Sequence, residues 1–67
     1  MAREFEICEV GPFKVPGITL KEPPSAEDLA DMDAWANSDQ GTGRRLTETL
    51  WYFRKESERD WWILRWT

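Results

Sequence analysis

The spacing of apolar and polar positions divides the chain into five short segments. Residues 4–10 alternate, with Phe5 and Ile7 on one side, and this period of two predicts a half-buried β-strand. Residues 13–20 alternate again around a Pro-Gly pair. Because proline donates no hydrogen bond to a sheet, this second segment is expected to be an edge strand or an irregular arm.

A helix is predicted over residues 26–37. Ser25 is placed to cap its first turn, and Asp28 follows three residues later, as in a capping box. Two glycines follow its expected end. At helical spacing one face is apolar and consists of Leu29, Met32 and Ala36, with Trp35 on its flank.

The last 22 residues hold four of the five tryptophans, and their pattern predicts a β-hairpin with strands at 46–55 and 60–66. A helix is the alternative, but residues 56–60 add no apolar side chain to a helical stripe, whereas the aromatic and β-branched residues favour strands. In the best register the buried face carries Trp51, Phe53, Trp62 and Leu64. The opposite face carries Tyr52, Arg54, Trp61 and Arg65, with Arg54 over Trp61 as a cation–π pair.

These segments predict an α+β fold in a single domain over residues 1–67. The sheet would be small and antiparallel, with three to four strands in the chain order β-(β)-α-β-β, and one helix would pack on one face. A domain of this size buries only about 60% of its unfolded surface. Its stability must therefore come from a dense aromatic core or from association with another chain.

The residue types exclude most chemistry. Cys8 is the only cysteine and there is no histidine, so neither an internal disulfide nor a zinc site is expected, and the thiol has no histidine to activate it. Residues 41–45 resemble part of a phosphate loop but lack its lysine. We expect no enzymatic activity, no cofactor and no metal.

Hydropathy and the N-terminal sequence bear on localisation. The first six residues include three charged ones where a signal peptide needs an apolar stretch, and no apolar run approaches the ~18 residues of a membrane helix. A lone cysteine suits a reducing compartment. A cytoplasmic protein without membrane contact is expected.

Charge is distributed unevenly along the chain, although the net charge is only -4. Residues 1–40 carry three basic and nine acidic side chains, and residues 41–67 carry six basic and four acidic ones. The predicted helix has no lysine or arginine, and its acidic ridge consists of Glu27, Asp28, Asp31 and Asp33. Such a ridge is either a solvated face or a surface that binds a basic partner.

Two kinds of binding function follow. The first is a non-enzymatic inhibitor that mimics nucleic acid and docks on a basic nucleic-acid-binding or regulatory surface of a host protein. In size, acidity and lack of chemistry the chain resembles small phage-encoded inhibitors, such as anti-CRISPR, anti-restriction or polymerase-binding proteins, and this likeness is one of type. The second is a single-strand nucleic-acid-binding module that uses the hairpin face, although the pI near 4.7 argues against direct nucleic-acid binding. A homodimeric structural subunit is a further alternative.

Overall fold

A computed structural model describes residues 3–67, which form four strands and two helices. In chain order the elements are β1 (Phe5–Val10), β2 (Val15–Leu20), α1 (Ala26–Ala36), β3 (Arg44–Arg45), β4 (Leu50–Tyr52) and α2 (Glu56–Trp66). The strands make one antiparallel sheet in the order β1-β2-β4-β3. The predicted α+β class is confirmed, with a second helix in place of the last predicted strand.

The first hairpin places β2 inside the sheet, so its predicted position at an edge is wrong. β2 pairs with β1 on one side and with β4 on the other. Pro16 is tolerated because β4 ends opposite Gly17. The carbonyl of Pro16 accepts a hydrogen bond from the Phe53 N–H at 2.8 Å, and its missing N–H falls where no strand partner needs it.

Helix α1 begins where the sequence predicts. Ser25 is the N-cap, and its Oγ accepts the Asp28 N–H at 3.1 Å, which satisfies one of the unpaired amides of the first turn. The helix buries Met32 completely and Leu29 partly. It therefore packs on the sheet through the predicted apolar face.

The C-terminal segment is a helix, and the predicted hairpin is wrong. Its inward side chains follow helical spacing at Arg59, Trp62, Ile63 and Trp66. Arg59 occupies the first of these positions, so the apolar stripe lacks one member in the sequence. Leu64, which the hairpin register placed in the core, is 78% exposed, because it lies on the outer side of α2.

The core lies between one face of the sheet and the two helices. It consists of Ile18, Leu20, Met32, Trp51, Phe53 and Trp62. Trp62 of α2 packs on Trp51 at 5.2 Å and on Phe53 at 6.1 Å between ring centroids. The predicted burial of these three aromatic residues is confirmed, although Trp62 reaches the core from a helix.

The second face of the sheet carries neither helix. Alternation along the strands directs Cys8, Thr19, Leu50 and Tyr52 to this side, and all four are half-buried. Within residues 3–67, neither helix combines the length and the apolar character needed to cross a lipid bilayer.

Candidate protein-binding surface

The eight residues predicted to bind a partner lie in three parts of the fold. Helix α1 carries Glu27, Asp28, Asp31 and Asp33 as predicted, and α2 carries Trp61 and Arg65. Tyr52 lies in β4, and Arg54 follows it in the turn before α2. The single face predicted for Tyr52, Arg54, Trp61 and Arg65 does not form, because Trp61 and Arg65 belong to a helix on the other side of the sheet.

Two of the four acids on α1 are held in ion pairs. Asp28 accepts a hydrogen bond from Arg3 at 2.7 Å. Asp33 accepts two from Arg45, at 2.8 and 3.0 Å, and this bidentate contact raises the pKa of the Arg45 guanidinium. Sequence spacing gave no sign of these pairs, since both arginines lie outside the segment that forms α1.

Glu27 and Asp31 remain as outward charges. Both are exposed, and neither takes part in an ion pair found within residues 3–67. They lie four residues apart on the helix, so their repulsion costs about 0.2–0.5 kcal/mol. Of the four acids in the predicted ridge, Glu27 and Asp31 are therefore the two that remain available to a partner.

The outer face of α2 is apolar and basic. Trp61 is 50% exposed, and its Nε1–H donates to the Gln40 carbonyl at 3.1 Å, which fixes the indole at the surface. Leu64 lies one turn further along the helix. Arg65 is exposed and lies 5.0 Å from the centroid of the Trp66 ring, so the cation–π contact seen in residues 3–67 differs from the predicted Arg54–Trp61 pair.

Contacts at both ends join the two helices into one layer. Arg3, bound to Asp28 in the first turn of α1, also donates to the Trp66 carbonyl in the last turn of α2, at 2.7 Å. Beyond the end of α1, the Thr42 hydroxyl donates to the Glu58 carbonyl in α2 at 2.8 Å. The helices therefore run in opposite directions across the same face of the sheet.

We call the outward side of this layer the helical surface. Its members are Glu27, Asp31, Trp61, Leu64 and Arg65. Tryptophan and arginine are enriched among residues that dominate binding energy at protein interfaces. Sequence reasoning missed Leu64, although its spacing of three from Trp61 would have revealed it once a helix was assumed.

Cys8 is half-buried on the open face of the sheet, with its Sγ 3.5 Å from the Thr19 hydroxyl. Across residues 3–67 no group of three or more histidine, cysteine or acidic side chains could hold a metal ion.

No protein-family model, curated protein or solved structure matches the chain.

Proposed function

We propose that this protein is a non-enzymatic binding protein that docks through the helical surface on a basic surface of a protein partner. In this proposal it acts as an inhibitor, by covering a nucleic-acid-binding or regulatory surface of that partner. The acids of α1 supply charge complementarity, and the apolar side chains of α2 supply buried contact area.

The observation that carries the proposal is the exposure of Leu64 and Trp61 on one layer with Glu27 and Asp31. Leu64 is 78% exposed in a chain of only 67 residues, where apolar surface is scarce and needed for the core. Interfaces commonly combine a few apolar anchors with charged residues at the rim.

The two parts of the surface have separable roles. Complementary charge mainly raises the association rate and makes binding sensitive to salt. Apolar anchors mainly slow dissociation. Binding through the helical surface should therefore show both effects, each assigned to a different helix.

The test begins with capture of partners from an extract of the source cells, followed by calorimetry and interferometry with the purified partner. Leu64→Ser should weaken binding at least about fivefold, mainly through faster dissociation. A double variant, Glu27→Lys with Asp31→Lys, should slow association and reduce the salt dependence. Phe13→Ser is the matched control, since Phe13 is 89% exposed at the tip of the first hairpin.

The proposal fails if both helical-surface variants fold and bind the partner as tightly as the wild type. Loss of binding in Phe13→Ser alone would move the interface to the hairpin tip. Direct nucleic-acid binding is a separate outcome, measured by a mobility-shift assay at low salt. The structure does not form the aromatic stacking surface that the sequence predicts for nucleic-acid binding, because Tyr52 and Trp61 lie on opposite sides of the sheet.

A further inference from the structure

Arg59 is a largely buried cation that lies outside the ion pairs of the described residues. Its residue is 9% exposed, and its Nε has no hydrogen-bond partner among residues 3–67. Among its nitrogens, Nε alone is both shielded from solvent and unpartnered in the described part of the chain. Burial of part of a cation without compensation is costly, so an anion at the terminal nitrogens of this guanidinium would stabilise it.

Arg59 lines a hollow of about 340 Å³ at the start of α2. Glu56, the first residue of the helix, also lines this hollow. The first amides of a helix have no intrahelical acceptor, and Lys55 at the N-cap position makes no side-chain capping bond. Helix N-termini of this kind attract anions through their free N–H groups and the helix dipole.

The side chains that line the hollow carry charges of both signs, and further basic residues lie in the turn just before α2. Lys14 lines it beside Arg59, and two carboxylates, Glu9 and Glu56, line it as well. Arg54 and Lys55 precede α2 directly and are exposed. The carboxylates leave one clear alternative, in which Arg59 is neutralised within the chain.

We propose that this hollow, which we call the Arg59 pocket, binds an oxyanion: a phosphate or carboxylate group that bonds to the Arg59 guanidinium and the first amides of α2. The planar fork of arginine matches two oxygens of such a group, and Lys14 adds a second positive charge at the rim. The ligand is a small anion, or the anionic group of a larger metabolite. This activity is independent of docking through the helical surface.

The first measurement uses inorganic phosphate and acetate as probes, titrated separately at constant ionic strength with chloride as the balancing salt. We expect saturable NMR shifts of the Arg59 Nε–H and of the Glu56 and Ser57 amides, together with a higher melting temperature. Saturation by phosphate alone identifies a phosphoryl group as the ligand, and saturation by acetate identifies a carboxylate. Absence of saturation with both probes overturns the proposal.

Variants test the role of Arg59 directly. Arg59→Met keeps the volume and removes the charge, so it should weaken probe binding at least about tenfold while melting no lower than the wild type in chloride. Arg65→Gln is the matched control, because Arg65 lies on the exposed side of the same helix, and it should leave the titration unchanged. An undiminished response in Arg59→Met overturns the proposal.

Glu56→Gln distinguishes a bound anion from internal neutralisation. If the pocket receives an external anion, removal of this carboxylate should tighten probe binding, since one repulsive charge is lost. If Arg59 is instead neutralised by Glu56, the variant should melt lower and bind the probe no better, and the proposal is wrong. This variant keeps Arg59 in place, so it remains informative if Arg59→Met fails to fold.

Discussion

Substitution of two α2 residues by alanine, one buried and one exposed, tests whether the C-terminal segment is a helix. Trp62 is fully buried against Trp51 and Phe53, and Trp62→Ala should cost about 3–5 kcal/mol. A 67-residue domain has a total stability of about 3–10 kcal/mol at typical values per residue. The substitution should therefore remove a large part of the free energy of unfolding.

Leu64→Ala gives the contrast. A buried Leu→Ala change costs about 2–5 kcal/mol, but Leu64 is 78% exposed, so we expect a loss below about 0.5 kcal/mol, with helix propensity nearly unchanged. In a hairpin Leu64 would share the buried face with Trp62, and both changes would be severe.

The assay is urea unfolding of the wild type and the two variants, followed by far-UV circular dichroism, with the midpoint and slope fitted together. Trp61→Ala serves as a size-matched control, since Trp61 is the half-exposed neighbour of Trp62. A loss above about 2 kcal/mol in Leu64→Ala, or a Trp62→Ala variant that unfolds near the wild-type midpoint, would refute the helical placement.

Two further predictions concern residues that hold loops and helices in place. Gly43→Ala should destabilise the fold more than Gly11→Ala, as measured by thermal unfolding: both glycines have positive φ, 91° and 76°, but only at Gly43 would an added Cβ lie 2.4 Å from the Phe53 ring. Asp33→Lys should lower the melting temperature, because it breaks the bidentate contact with Arg45, whereas Asp31→Lys should not; equal effects would show that the Arg45 contact adds no stability.

The N-terminal half of the fold could be predicted from local signals. Alternation around Phe5 found β1, and Ser25 with the helical spacing of Leu29 and Met32 found α1 within one residue at its end. These signals suffice because each element buries an apolar face with its own regular period. The position of β2 between two partners could not be read, since proline suggests an edge and only tertiary pairing shows that β4 stops before Pro16.

The sequence pattern predicts a hairpin strand where the structure has α2, and the reason lies in one inward residue. The first of the four inward positions of α2 is occupied by Arg59 rather than by an apolar residue, so the helical pattern of apolar residues is incomplete in the sequence. The remaining inward residues are aromatic or β-branched and have high strand propensity. Glu56 and Glu58 in the first turn and Arg65 in the last suit a helix dipole, and they were the available signal. Arg59 therefore both interrupts the apolar pattern of α2 and lines the Arg59 pocket.

The pairing of β2 with one near and one distant strand predicts an order of events during folding. On one side β2 meets β1, its neighbour along the chain, and such a hairpin closes in about 1–10 μs. On the other side Ile18 pairs with Trp51, which follows the whole of α1, so a long loop must be ordered before this contact forms. We therefore expect the barrier to refolding to lie at the β2–β4 contact. Conservative changes at Ile18 should slow refolding, while changes at the tip of the first hairpin should mainly alter the unfolding rate.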